Sequence, residues 1–118
     1  MPVTTTYKRG QVVVVNVPFA TQEAKPRPAV IVSAETFHRA LPDVIVCPVS
    51  SQPRFYRRPG PGDCELQRWR ALGLRYPSTV RVSNIVAVDK QLIKRALGSL
   101  AAEDRERLVE TLRQALGL

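Results

Sequence analysis

Histidine occurs once in the 118-residue chain and cysteine only twice. One imidazole, His38, with no serine and carboxylate context around it gives no Ser-His-Asp triad. It reads as a loop residue, with a general base as the alternative role. Cys47, Cys64 and His38 follow none of the short ligand spacings of zinc sites, and no cluster of carboxylates suggests two-metal chemistry. No metal or other cofactor is therefore expected. No apolar run approaches the roughly 20 residues needed to span a bilayer, so no membrane partner is expected. The opening MPVTTTYKRG has no apolar stretch behind a basic start and does not read as a secretory signal. Without such a signal, the two cysteines read as free thiols, which points to the cytoplasm. Repeats and low-complexity tracts are also absent. The length fits a single domain over residues 1–118, long enough to bury a core without staples.

Positive charge is what the chain has in excess. Its formal net charge is +8. Residues 1–98 hold 15 Lys/Arg against 6 Asp/Glu, a balance of +9, and residues 99–118 hold 3 against 4, a balance of −1. A basic body with a near-neutral tail suggests a polyanion-binding face, nucleic acid before a membrane surface.

β-Branched runs between proline-bearing loops predict strands at about 11–17, 29–33, 44–51 and 64–69. Residues 78–90 read as two short strands or one bent strand, and 91–100 as a turn of helix followed by a last short strand. The stretch QPRFYRRPGPGD (52–63) reads as a long loop. The tail differs. Leu100, Leu108, Val109, Leu112, Ala115 and Leu116 recur at helical spacing, Glu103 and Asp104 sit in the first turn, and Gly117 ends the pattern. Glu103 and Arg107 form an i,i+4 pair in the favourable order. Short strands followed by one amphipathic helix predict a mainly β, α+β domain: a small barrel or sandwich with a capping helix.

KPRPAVIV (25–32) holds an arginine between two prolines in front of an apolar run. Proline fixes its own backbone and drives the preceding residue into an extended conformation, so Arg27 leaves the chain at a defined point. The plain alternative is a solvated arginine at a strand start.

Four pieces of sequence resemble the MazF/PemK/Kid family of toxin endoribonucleases from bacterial toxin–antitoxin pairs. They are YKRGQVVVVNVPF (7–19), RPAVIVS (27–33), CPVSSQ (47–52) and PSTVRVSNIVAVDKQLIKRALGSL (77–100), in the same order and over nearly the whole chain. The resemblance implies an SH3-like barrel of the MazF/CcdB type with a C-terminal helix, a homodimer, and an antitoxin protein whose flexible tail covers a basic cleft. It implies metal-independent cleavage of single-stranded RNA. It places an active-site arginine at Arg27 and an active-site hydroxyl at Ser50, where well-known members carry threonine. Ser51 is the fallback if the register is off by one. The stretch 52–76 matches least, so no RNA sequence preference carries over. Two alternatives stand beside this reading: a CcdB-like toxin that binds gyrase without catalysis, and a catalytically weak RNA-binding relative.

These residue types suit such chemistry. Charge builds on the phosphoryl oxygens as the ribose 2′-hydroxyl attacks, and a fixed guanidinium fork can grip two of them without a metal. The Ser50 hydroxyl can donate to a phosphate oxygen or simply satisfy a turn. Arg54, Arg57 and Arg58 interleave with Phe55 and Tyr56, a pattern that holds phosphates on guanidiniums and stacks unpaired bases on rings. Lys25 adds charge beside Arg27. Phe19 is either a base platform or a strand-end core residue, and Gln52 either reads a base edge or is an ordinary loop glutamine. Arg68, Arg70 and Arg75 add a general field. Trp69 belongs in the core or at a subunit interface.

Overall fold

The protein is described by a computed structural model over residues 6–16 and 25–118. Among these residues seven strands and three α-helices follow in the order β1 (Gln11–Asn16), β2 (Pro26–Ile31), α1 (Glu35–Ala40), β3 (Asp43–Ser50), α2 (Pro53–Arg57), β4 (Asp63–Glu65), β5 (Thr79–Arg81), β6 (Val86–Asp89), β7 (Ile93–Ser99) and α3 (Ala102–Leu116). All pairings are antiparallel, along the path β4-β5-β3-β2-β1-β7, with β6 also paired to β3. The ladder does not close on itself among the described residues. The barrel is an open, bent sheet whose centre is β3, with β2 on one edge and β6 and then β5 on the other.

The valine run of β1 is buried on both faces, which is why it lacks polar alternation. Val12 joins Val30, Cys47, Val49, Cys64, Leu66 and Val80 in the cluster covered by Leu108 of α3. Val13 and Val15 point the other way, to Ala29, Ile31, Val44, Val46 and Val88. Helix α3 spans the predicted tail, and Gly117 closes it in the left-handed conformation at φ 72°.

Several expectations are corrected. The second strand starts at Pro26 instead of residue 29, so Arg27 lies inside the strand, paired with Val15. The N–H of Val32 donates to Ile45 of β3, so even-numbered positions of β2 direct their N–H toward β3. Pro26 and Pro28 are even positions beyond the paired span, where a missing donor costs no hydrogen bond. The segment 52–63 is not all loop. Pro53 takes the first position of α2, where its fixed φ suits a helix start. The fourth strand is only Asp63–Glu65, and Trp69–Leu72 forms a 3₁₀ turn. His38 is in α1 and buried, not in a loop. Phe19 lies outside the described residues.

The predicted Glu103–Arg107 pair is also replaced. Glu103 accepts from Arg68 at 2.8 Å, while Arg107 bonds Glu65 and lies 3.3 Å from Asp104. Asp104 is fully buried, and its carboxylate accepts the backbone N–H groups of Gln67 and Arg68, both at 3.0 Å. This carboxylate ties α3 to the chain leaving β4. Asp104→Ala would strand two N–H groups and take from Arg107 one of its two carboxylate partners, at a cost of about 3 kcal/mol. A Tm lower by roughly 10 °C is the expected result in thermal melting. A shift under about 2 °C would mean that water replaces the carboxylate.

Candidate active site

The ladder between β2 and β3 runs from Ile31↔Val46 to Ala29↔Pro48 and stops. Continuing that register by two residues sets Arg27 opposite Ser50 on the same face of the sheet. The strands cannot stay zipped there, because Pro28 offers no donor and β3 continues with β5 on its far edge, through Val49↔Val80 and Ser50↔Thr79. The opening is a cleft of about 580 Å³. Arg27, Pro48 and Ser50 stand on its floor, with Ser51, Gln52, Arg54 and Phe55 beyond the end of β3. Leu74, Arg75, Tyr76 and Ser78 form another wall, and Pro28, Val49, Arg81 and Asn84 complete the lining.

Arg27 is exposed and has no ion-pair partner among the described residues. The strand and the two prolines fix its backbone, so the side chain leaves the chain at a defined point. Ser50 is half-buried, and its Oγ accepts the N–H of Gln52 at 3.2 Å. Both sequence readings of this hydroxyl are thus compatible: oxygen lone pairs hold the turn while the O–H remains available to the cleft.

Phe55 sits between two grooves. The Arg54 guanidinium lies 4.6 Å from its ring centroid and that of Arg81 lies 3.6 Å away. Arg81 is directly opposite Asp63 across the β4–β5 pair, and its Nε comes within 2.6 Å of Asp63 Oδ1, close enough for an ion pair but off hydrogen-bond alignment. The neighbouring groove, about 530 Å³, is lined by Arg54, Phe55, Arg58, Gly60, Asp63 and Arg81.

The structure thus brings Arg27, Ser50, Ser51, Gln52, Arg54 and Phe55 to one cleft. Arg58 lines only the neighbouring groove, and Lys25, Tyr56 and Arg57 line neither. Arg81, Asn84 and Tyr76 escape the sequence reading. The signal for Arg81 was an arginine inside the otherwise apolar and β-branched run STVRV. Arg68 is paired with Glu103, and Arg70 lies 4.8 Å over the half-buried Trp69 ring, so Arg75 is the one cation of that group at the cleft.

His38 has no place in this site. It is 3% exposed, bonded to the Ser33 hydroxyl through Nε2, and donates Nδ1–H to the Tyr7 carbonyl at 2.9 Å. The Ser33 Oγ also accepts the Ile45 N–H, so the imidazole ties the segment before β1 to the chain leaving β2 and, through Ser33, to β3. Both cysteines are free and buried. Burial pushes the Cys47 thiol up to about 12 and also raises that of Cys64, for which Arg107 opposes the shift. A neutral, enclosed thiol is a poor nucleophile. Iodoacetamide at pH 8 should leave Cys47 unmodified in the folded protein and label it in urea, as read by mass spectrometry. Equal labelling in both states would contradict the closed packing around it.

Among the described residues no three of His, Cys, Asp and Glu come together as a metal-holding group, and no helix is long and apolar enough to cross a membrane. The fold has solved counterparts. An endoribonuclease from a mycobacterial species, in complex with its cognate antitoxin, is 22% identical with a TM-score of 0.75, over 95% of this chain and 96% of that one. The Mycobacterium tuberculosis toxin MazF-mt6 is 22% identical with a TM-score of 0.73, over 92% and 97%. MazF from Deinococcus radiodurans is 19% identical with a TM-score of 0.74, over 98% and 100%. No curated protein sequence matches the chain. Residues 8–116 match the family described as PemK-like, MazF-like toxin of type II toxin–antitoxin system, which favours that reading over a gyrase-binding toxin. With nearly its whole length matched, the chain belongs to the PemK-like, MazF-like toxins of type II toxin–antitoxin systems.

Proposed function

We propose that this toxin is an endoribonuclease that cuts single-stranded RNA at the cleft between β2 and β3 without a metal ion. The observation that carries the reading is that Arg27 and Ser50 line one cleft just beyond the last β2–β3 pair, Ala29↔Pro48. The scissile phosphate would lie between them. The ribose 2′-hydroxyl gives its proton to water as its oxygen attacks phosphorus, the bond to the 5′-oxygen breaks, and that oxygen takes a proton from water as it leaves. The products are a 2′,3′-cyclic phosphate, or its opened form, and a 5′-hydroxyl. Arg27 would hold two phosphoryl oxygens bidentately as their charge grows, and the Ser50 O–H would donate to one of them. Binding in the cleft also sets the attacking oxygen in line with the leaving one. Support comes from the family match and from structural counterparts that are endoribonucleases, one of them held by its antitoxin.

The same reading makes the toxin a cytoplasmic homodimer restrained by an antitoxin whose flexible segment covers the basic cleft. The test is incubation of the purified protein with a long RNA, with and without EDTA, followed by end-group analysis. Cleavage in both, with 5′-hydroxyl ends, is expected. Activity abolished by the chelator and restored by a divalent ion would overturn the metal-free mechanism, and intact RNA in both would overturn the activity.

The loop arginines should divide by position. Arg54 lines the cleft and Arg58 the groove beside it, while Arg57 lines neither. Each phosphate contact on a single strand contributes a slope of about −0.7 to the dependence of log affinity on log salt. Arg54→Ala should weaken binding to an uncleavable 2′-deoxy analogue and flatten that slope by about one contact, and Arg57→Ala should do neither. Equal effects from the two would show that this loop contributes only a diffuse field.

A further inference from the structure

If the cleft holds single-stranded RNA, unpaired bases need ring faces to stack on, and the described aromatics differ in what their rings already carry. Phe55 has the guanidiniums of Arg54 and Arg81 on its ring. Trp69 carries Arg70, is half-buried, and lies outside the cleft. Tyr56 is half-buried and lines neither groove. Tyr76 lines the cleft, is 63% exposed, and among the described residues has no ring or cation against it.

Its backbone is tied down on both sides. The Ser78 hydroxyl donates to the Tyr76 carbonyl at 2.8 Å, and the Ser78 carbonyl accepts the Leu66 N–H at 2.9 Å. On the other side Leu74 packs against the core beneath α3, and Gly73 closes the preceding 3₁₀ turn in the left-handed conformation at φ 76°. With the backbone pinned, only the two side-chain torsions of this large exposed ring remain to be ordered when a flat partner binds. Arg75, next to it, lines the same cleft and is exposed.

We propose that Arg75 and Tyr76 form a nucleotide subsite flanking the scissile phosphate, the ring of Tyr76 stacking an unpaired RNA base and the Arg75 guanidinium holding that nucleotide's phosphate. This subsite rests on the RNA-cleaving reading of the cleft. Phe55, with its two guanidiniums, serves instead to position Arg54 and Arg81 between the grooves. Stacking on one ring is sequence-tolerant, because every base has a π-face, so Tyr76 contributes affinity and register more than base identity.

The test uses the full chain and a 2′-O-methyl oligonucleotide spanning the cleavage point mapped on long RNA, with 2-aminopurine moved through successive positions. In the unsubstituted protein one position should be quenched by stacking. Tyr76→Ala should abolish that quenching and weaken binding about tenfold or more. Tyr76→Trp should restore both, since the ring face is what matters. Arg75→Ala should weaken binding and reduce its salt slope while the quenching at saturation persists. Thermal melting checks that the variants fold.

If the protein cuts and binds RNA but quenching and affinity are the same in Tyr76→Ala, the subsite is wrong and the reading of the cleft stands. A protein that neither cuts nor binds the RNA overturns both. If Tyr76→Ala changes the particle mass in solution without altering quenching, the ring belongs to a contact between copies, and the subsite is again overturned.

Discussion

Arg27→Lys is expected to fold, to bind RNA, and to cleave it about 10²-fold more slowly under single-turnover conditions, the scale of losing one preorganised donor to a developing oxyanion. Lysine keeps the positive charge and so keeps most of the long-range attraction for the RNA backbone. What it loses is the planar fork, which matches two phosphoryl oxygens at once. The backbone that aims the side chain is unaffected, because Pro26, Pro28 and the pairing with Val15 remain. The position is exposed, so no packing is sacrificed. Rate and affinity should therefore separate: a large fall in the chemical step beside a change of a few-fold in binding to a 2′-deoxy analogue. Parallel loss of both would demote Arg27 to a docking contact. A wild-type rate would remove it from the site, and His38 could not take its place, being enclosed by Ser33 and Tyr7 away from the cleft.

What the sequence disclosed, and what it hid, follows from the range of the interactions. The tail helix was legible because its apolar spacing and Gly117 act within a few residues. The valine runs announced buried strands for the same reason. The start of β2 was misplaced because two prolines look like loop, and only the direction of the Val32 N–H toward Ile45 shows that those positions need no donor. The ion pairs of α3 were misread because partners four residues apart compete with Arg68 and Glu65, which arrive from over 30 residues away. At the site, Arg27 and Ser50 were each legible as residue types joined by a resemblance. That they line one cleft is a matter of register between strands, which no local pattern encodes. Arg81 and Tyr76 were hidden in the same way: β5 and the loop before it reach the cleft only because β5 pairs with the far edge of β3.

Ser50→Ala is expected to lower the cleavage rate by about 10²-fold, and Ser50→Thr to retain it. The serine has two duties that must be told apart. Its oxygen accepts the Gln52 N–H at 3.2 Å and so shapes the exit from β3, and its O–H can donate into the cleft. Alanine removes both. If the turn were the main duty, Gln52 and the start of α2 would shift, and RNA affinity and Tm would fall together with the rate. If donation to the phosphoryl oxygen is the main duty, Tm should fall by no more than a few degrees, since the residue is only half-buried, and binding to the uncleavable analogue should hold. Threonine preserves the hydroxyl, and its branched β-carbon suits a strand position paired with Thr79. Active threonine beside inactive, well-folded alanine would assign the hydroxyl to the chemistry. An alanine variant that cleaves at the wild-type rate would leave Ser50 to the turn alone and move the search to Ser51, the next hydroxyl lining the cleft.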